Sequence, residues 1–217
     1  MKVVAFVPIK LNNERLPHKN ILPLGGCPVC QHLLQTLLNV KLIDEVIVFC
    51  SDNAIRQYLP EGVELLIRDQ RLDNFNTKHY EIVESFISQI HADVYVNAHV
   101  TNPFISKKTF DEGVFGIISG TYDSAVVVEE VQEHLWYDSE PFNFTRHDRP
   151  RKQDLKALYA EVGVFMYRKE VFLNGRTDYG ARPLFIKIGR IEALDIDYME
   201  DYELAKAIIT INANNRG

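Results

Sequence analysis

Apolar runs of strand length alternate with amphipathic stretches along most of this chain. The runs are rich in Val, Ile and Phe, which favour strands, and they cover residues 3–9, 45–50, 63–67, 93–98, 124–128, 159–168 and 184–188. Helical periods lie between them: one begins at Pro28 and carries Leu33, Leu34, Leu37 and Leu38, and others span 78–91, 106–118 (with Ser106 as N-cap) and 199–211. This alternation predicts an α/β fold with a doubly wound, mostly parallel sheet.

Composition limits the classes of protein that this chain can belong to. A length of 217 residues predicts one domain over 1–217, and a net charge of −6 argues against nucleic acid as a partner. No apolar run is long enough for a membrane span and residues 1–10 already form a strand pattern, so we expect no membrane partner, no signal peptide and a cytoplasmic location. Cys27 and Cys30 have the spacing of a redox or zinc half-site; the alternative is two small apolar residues beside a turn.

Three cations follow the first strand in a short loop. Lys10, Arg15 and Lys19 lie there among Asn12, Asn13 and Asn20. Open α/β sheets bind ligands at the ends of such strands, and a polyphosphate needs charge-assisted donors. An ordinary solvated loop has a similar composition, and neither a Walker-type loop nor a dinucleotide fingerprint occurs here, so both interpretations stay open on the residues alone.

Two carboxylates stand near the C-terminal helix, where Asp195 and Asp197 flank Ile196. If this segment is a strand, alternate residues point the same way and both carboxylates face one site. Two carboxylates together with ligand phosphates suit Mg²⁺. The alternative is a helix-start signal, because acidic residues stabilise a helix N-terminus; Glu200 and Asp201 fit that alternative better.

These motifs resemble those of the acylneuraminate cytidylyltransferases, the family that makes CMP-sialic acid and CMP-Kdo. The resemblance rests on motifs in the family's order: Pro8-x-Lys10, Arg15-Leu16-Pro17-x-Lys19-Asn20, Arg68, Thr101-x-Pro103, Arg151-x-Gln153, Gly163 and Asp195-x-Asp197. It implies a GT-A-like fold, Mg²⁺ as cofactor, and CTP and a small acidic sugar as substrates, with CMP transferred and pyrophosphate released. The chain departs from the family at Lys10 (usually Arg), at Asn12 and Asn13 (usually small) and at His99 (usually Gln).

The resemblance also implies the role of each site residue. Nucleotide binding falls to Pro8, Lys10, Asn12, Arg15, Lys19, Asn20 and Arg68, with Lys10, Arg15 and Lys19 as the catalytic cations; metal binding falls to Asp195 and Asp197, and acceptor binding to His99, Thr101, Arg151 and Gln153. Asn20 and Arg68 are expected near the cytosine. Two alternatives remain open: Arg68 as a surface residue paired with Asp69 or Asp73, and His99 as a hydrogen-bonded residue at a strand end.

Residues 132–158 break the strand–helix pattern. This segment is polar, aromatic and basic, as functional or interface insertions often are. In the family it projects and packs against a second subunit, which implies a homodimer with Trp136, Phe142 and Phe144 in the interface. The alternative is an aromatic loop docked on its own domain. Two other functions stay open: cytidylyl transfer to a different acidic acceptor such as a phosphonate, and a non-catalytic nucleotide-sugar-binding relative.

Overall fold

A computed structural model describes residues 1–214 and builds them around a seven-stranded sheet. Its strands are β1 (Val3–Pro8), β2 (Glu45–Cys50), β3 (Val63–Ile67), β4 (Val94–Ala98), β5 (Ser124–Val131), β6 (Leu158–Arg168) and β7 (Pro183–Ile188). The order across the sheet is β7-β5-β6-β4-β1-β2-β3. Strand β6 is antiparallel to both neighbours and every other pairing is parallel. The predicted mostly parallel sheet is therefore confirmed.

Helices cover both faces of this sheet. They are α1 (Val29–Leu38), α2 (His79–Ile87), α3 (Lys107–Ile118), α4 (Lys169–Gly175) and α5 (Met199–Asn214). Helices α1 and α3 bury their apolar side chains on one face, and α2 and α4 do so on the other. In α1 the leucines repeat at helical spacing, as predicted: Leu33, Leu34 and Leu37 are buried, and Leu38 is 38% exposed.

Several boundaries and short elements differ from the sequence expectations. Helix α2 ends at Ile87 instead of residue 91, because the hydroxyl of Tyr95 donates to the carbonyl of Ile90 (2.7 Å) and accepts from the amide of Ala92 (3.2 Å) in the turn into β4. The sequence analysis missed α4 and the 3₁₀ turns Lys19–Ile21, Gln70–Asp73 and Lys152–Asp154. It also missed two hairpins with two-residue strands, which pair Pro23–Leu24 with Cys27–Pro28 and Trp136–Tyr137 with Glu140–Pro141. Such short elements show no measurable hydrophobic period.

The segment that breaks the pattern leaves the sheet between β5 and β6. Val131 and Leu158 pair across these strands, so the excursion begins and ends at the same place on the sheet. Trp136 is 56% exposed and lies edge-on to Phe144, with ring centroids 5.3 Å apart. The aromatic side chains thus contact one another and still leave exposed surface.

Membrane and cysteine expectations can also be compared with the fold. Within residues 1–214, no helix combines the length and apolar character that crossing a membrane requires. Cys27 and Cys30 are free thiols. Burial raises the pKa of Cys27, and burial raises the pKa of Cys30 to about 12. Because a redox cysteine reacts as a thiolate, the raised pKa values favour the interpretation of Cys27 and Cys30 as small apolar residues beside a turn.

Candidate active site

Two neighbouring cavities open at the carboxyl edge of the sheet, beyond the ends of β1, β3 and β4. The larger has a volume of about 400 Å³, and the predicted residues in its wall are Pro8, Lys10, Asn12, Arg15, Lys19, Arg68 and Asp197. The smaller has a volume of about 240 Å³ and is lined by Pro8, Lys10, Asn13, Lys19, Asn20, His99, Val100, Thr101, Asp195 and Asp197. The shared residues Pro8, Lys10, Asn13, Lys19 and Asp197 form a common wall between them. Residues from both ends of the sequence therefore meet at one site.

The basic loop after β1 is closed by its own last residues. The side-chain amide of Asn20 donates to the carbonyl of Lys10 (2.8 Å), and the backbone amide of Lys19 donates to the carbonyl of Leu16 (3.2 Å). Asn20 is only 4% exposed, so it anchors the loop from inside. His18 takes the left-handed conformation at φ 58° just before the 3₁₀ turn that carries Lys19. The loop thereby directs its cations towards the cavities.

The carboxylate pair lies in the connection between β7 and α5 and not in a strand, so the predicted strand is wrong for this segment. Both carboxylates nevertheless line the smaller cavity. Ile196 between them is fully buried, and its amide donates to the carbonyl of Thr101 (2.8 Å). The carboxylate of Asp201 accepts from the amides of Asp197 (3.0 Å) and Tyr198 (2.8 Å). Asp201 thus has the helix-start role, which leaves Asp195 and Asp197 to face the cavity.

An apolar cluster fixes the basic loop against the carboxylate segment. Leu16 from the loop and Ile196 pack with Tyr202 and Ala205 of α5, and the cluster is completed by Leu24 and Val29. The hydroxyl of Tyr202 also donates to the carbonyl of Pro23. The separation between the cations and the carboxylates is therefore set by buried apolar contacts beneath them.

Asp197 is the electrostatic centre of this site. Lys19 Nζ lies 2.6 Å from its Oδ1 and 2.8 Å from the carbonyl of Ile196, while Arg15 pairs with its Oδ2. Burial opposes ionisation of the carboxyl, but the hydrogen bond and charge of Lys19, together with Arg15, outweigh it and lower the pKa of Asp197. The carboxylate is thus ionised at neutral pH and holds two of the three predicted cations.

Asp73 organises the other end of the larger cavity. Arg68 is 4% exposed and pairs with Asp73 Oδ1 at 2.6 Å, while its second terminal nitrogen donates to the carbonyl of Phe49 (3.1 Å). Lys10 Nζ donates to the backbone carbonyl of Asp73 (2.8 Å). Arg68 therefore pairs with Asp73, as one alternative held, but it is buried and lines the cavity instead of lying on the surface.

His99 lies in the smaller cavity, where β6 comes close to the end of β4. Its backbone amide donates to the carbonyl of Gly163 (2.8 Å), and a Cβ on Gly163 would lie 2.8 Å from the His99 ring and 2.7 Å from the side-chain oxygen of Asn102. Only glycine leaves this space. The register of β6 against β5 shifts around Gly163, between residues 161 and 165. Such irregularities in strand pairing are frequent beside active sites. Burial, followed by the charge of His79, lowers the pKa of His99, which keeps it neutral.

Two of the predicted site residues lie away from the two cavities. Arg151 and Gln153 are exposed, and Arg151 pairs with Asp154 at 2.7 Å; neither lines the two cavities. Asn20 lines the smaller cavity and Arg68 the larger one, so their expected place near one cytosine stays a prediction. Among the residues that the sequence analysis left without a role, the cavities add Asn13, whose side-chain oxygen is buried without a hydrogen-bond partner, and Phe75, which is 83% exposed.

The donor set of the smaller cavity suits a hard divalent cation only in part. Asp195 is exposed and Asp197 half-buried, and both carboxylates line this cavity. Within residues 1–214 no group of three or more His, Cys, Asp or Glu side chains is arranged as a metal site. Mg²⁺ takes one or two protein carboxylates together with phosphates and water. The residues present therefore fit a magnesium ion that arrives with a phosphorylated ligand.

An open α/β sheet with cations and carboxylates at its carboxyl edge is typical of proteins that bind phosphorylated ligands. A family model described as Cytidylyltransferase matches residues 4–213. The chain belongs to this cytidylyltransferase family, and the resemblance found in the sequence is confirmed.

Two named relatives and one solved structure resemble this chain at low sequence identity. The chain is 24% identical over 214 residues to an N-acylneuraminate cytidylyltransferase of Streptococcus agalactiae, covering 93% of this chain and 52% of the relative. The chain thus spans about half the length of that relative. It is 22% identical over 227 residues to a pseudaminic acid cytidylyltransferase of Campylobacter jejuni, covering 98% of each. A solved CMP:2-keto-3-deoxy-manno-octonic acid synthetase complexed with CTP shares the fold, with a TM-score of 0.74, 18% identity and coverage of 98% of this chain and 100% of that one.

Proposed function

We propose that this chain transfers CMP from CTP to a 2-keto sugar acid in a Mg²⁺-dependent reaction that releases pyrophosphate. One observation carries the proposal: the cations of the loop after β1 and the late carboxylates share the wall between two adjoining cavities. The larger cavity is assigned to the nucleotide and the smaller to the acceptor, so the wall is where the two substrates meet. The family membership and the named relatives support this assignment.

Most of the catalysis is assigned to the cations of the shared wall and the loop. Phosphoryl and nucleotidyl transfers are catalysed mainly by positioning and by neutralising phosphate oxygens. Lys10 and Arg15 are assigned to the triphosphate tail and the leaving pyrophosphate, and Lys19 to the α-phosphate, where charge develops. Lys19 and Arg15 now bind Asp197. Phosphate oxygens arriving in the larger cavity would compete for these cations and take over their hydrogen bonds.

Asp195 and Asp197 are assigned to hold Mg²⁺. When bound, the ion neutralises phosphate oxygens and acidifies a hydroxyl that it contacts. Asp197 is ionised because of its cationic neighbours, and its carboxylate would be free to hold the ion if those neighbours bound phosphate instead. Ile196, buried between the two carboxylates, keeps both facing the same cavity.

Base recognition is assigned to the far end of the larger cavity. Arg68 lies there with its guanidinium held by Asp73 and Phe49, and Phe75 offers an exposed aromatic face on which a base can stack. The Arg68 guanidinium lines this cavity, and N–H donors of this kind suit the carbonyl and ring-nitrogen acceptors of cytosine. A Phe75→Ala variant should raise the KM for CTP several-fold, and an unchanged KM would remove Phe75 from this role.

The acceptor is assigned to His99 and Thr101 of the smaller cavity. A 2-keto sugar acid carries a carboxylate, for which the guanidinium of Arg151 is the natural partner. Since Arg151 and Gln153 lie away from the cavities of their own chain, we propose that they serve the cavity of a second copy in a homodimer, with Trp136, Phe142 and Phe144 in the interface. The GT-A-like classification, the single domain over 1–217 and the cytoplasmic location stay predictions.

Complementation between inactive variants tests the shared site. If Arg151 acts on the partner's cavity, mixing Arg151→Ala with Asp197→Asn protein should restore part of the activity, because mixed dimers contain one intact site. Sedimentation of the wild type should give a dimer. No recovery in a mixture proven to contain mixed dimers would overturn the shared site.

Pyrophosphate release tests the reaction itself. It is measured with CTP, UTP, ATP and GTP against several 2-keto sugar acids and phosphonates, with and without Mg²⁺. We expect release with CTP, a sugar acid and Mg²⁺ together. Release only with phosphonates would change the acceptor class, and CTP binding without release under any condition would make the chain a nucleotide-binding protein without this activity.

A further inference from the structure

A polar cluster lies behind His99, outside the walls of both cavities. It consists of His79 at the start of α2, Asp178 in the connection from α4 to β7, and Asn97 near the end of β4. We propose that His79, held by Asp178, is a positioning residue that fixes the imidazole of His99 towards the acceptor. This inference rests on the proposed function, in which the smaller cavity receives the acceptor.

Asp178 sets the state of the His79 ring. Its Oδ2 lies 2.8 Å from His79 Nε2, and the side-chain nitrogen of Asn97 lies 3.2 Å from the same ring nitrogen. A carboxylate accepts only, so His79 Nε2 carries a proton and donates to Asp178. That nitrogen then has no acceptor capacity for an amide N–H. Because the single N–H of Nε2 is directed at Asp178, Asn97 lies beside this nitrogen as a packing neighbour.

His79 in turn limits the position of His99. The two rings are in edge-to-face contact, with centroids 6.2 Å apart and an interplanar angle of 68°. On another side the His99 ring abuts Gly163, where even a Cβ would come within 2.8 Å. The remaining side faces the smaller cavity with Lys19 and Asp195. Because two sides are closed by neighbours, removing His79 would free the ring to turn away from the acceptor.

Asp178 is buried together with the groups that it contacts. The residue is 9% exposed, and besides His79 it lies next to the buried hydroxyl of Tyr167, whose pKa is raised by burial, by the charge of Asp178 and by a hydrogen bond with it. A buried carboxylate costs stability unless it has such partners. Its contact with His79 at 2.8 Å therefore holds that ring in place, as outer partners of site residues do elsewhere.

Steady-state kinetics separate this role from a structural one. His79→Ala should lower kcat/KM for the acceptor about tenfold and leave the KM for CTP within about twofold, and His79→Gln, which can still donate to Asp178, should recover part of the loss. His91→Ala is the matched control, since His91 is exposed and lies beyond the other end of α2. Equal changes in the constants for CTP and acceptor would overturn the proposal, as would a His91→Ala effect of the same size.

A double-mutant cycle shows whether His79 acts through His99. In a His99→Ala background, the further change His79→Ala should alter acceptor kinetics less than about twofold, because the group on which it acts is gone. An undiminished tenfold loss in that background would show that His79 acts by another route and overturn the proposal.

Histidine side-chain NMR tests the coupling without any turnover. At about pH 8, where ordinary imidazoles are neutral, Asp178→Asn should change the ring-nitrogen shifts of both His79 and His99. A change confined to His79 would overturn the proposal. If the wild type releases no pyrophosphate with any acceptor, the proposed function fails, whereas these spectra still decide whether Asp178 and His79 set the state of His99.

Discussion

Replacing Asp197 with asparagine tests the centre of the site with the smallest change of shape. The substitution removes the charge that now binds Lys19 and Arg15, and it removes one of the two carboxylates assigned to the metal. We expect turnover to fall by about 100-fold or more, as it does when a charge-stabilising group is lost elsewhere. That corresponds to about 2.7 kcal/mol of activation free energy.

The cost in stability should be smaller than this. The side chain of Asp197 is 33% exposed and that of Lys19 is 13% exposed, so the pair lies between the surface and buried cases. Surface pairs contribute up to about 1 kcal/mol and breaking buried pairs costs about 3–5 kcal/mol, so we expect a loss of about 1–2 kcal/mol. In a domain of this size that lowers Tm by roughly 2–8 °C. The variant therefore stays folded at 25 °C, a common assay temperature.

Pyrophosphate release at saturating CTP, acceptor and Mg²⁺ is the assay, with thermal unfolding run in parallel. Asp111→Asn is the matched control, because Asp111 is 35% exposed and pairs with Lys107 on the surface of α3. The control should keep its turnover. Near-normal turnover of Asp197→Asn under the same conditions would refute the assignment of this carboxylate, and loss of the folded state would refute the stability reasoning.

Three further expectations concern the same site. Lys19→Ala should lose turnover with an unchanged far-UV circular dichroism spectrum; a collapsed spectrum would instead make Lys19 a structural residue. Ile196→Ala removes a fully buried side chain and should cost about 2–5 kcal/mol in urea unfolding, whereas a cost below about 0.5 kcal/mol would show that the apolar cluster does not fix this segment. Because the pKa of Asp197 is lowered in the folded state, its stabilising contribution is complete above the unfolded pKa of about 4 and disappears as pH falls through the lowered value. The difference in Tm between wild type and Asp197→Asn should therefore shrink in acid, and a difference that grows would contradict the assigned direction.

The sheet was predictable because its strands are continuous apolar runs. The expected spans 45–50 and 63–67 coincide with β2 and β3. The approach of the basic loop to Asp195 and Asp197 was also predictable, since the family resemblance implied that the loop and the two carboxylates share one site.

The finer arrangement of the site was not predictable, because it depends on short elements and on contacts far apart in sequence. Arg68 is held by Asp73 through the 3₁₀ turn Gln70–Asp73, which is too short for a hydrophobic period. His79 and Asp178 meet only because the start of α2 and the connection after α4 lie on the same face of the sheet. A single sequence contains no local signal for such a pairing.

Helix α5 contributes Tyr202 and Ala205 to the apolar cluster with Leu16 and Ile196, and it lines neither cavity. Local unfolding of this helix would remove its side chains from the apolar cluster, so we expect tight ligand binding only in molecules in which α5 is folded. A bound nucleotide should then stabilise the folded state of α5 by mass action. Amide hydrogens of α5 should exchange more slowly in the presence of CTP, which makes a helix remote from the chemistry a reporter of occupancy.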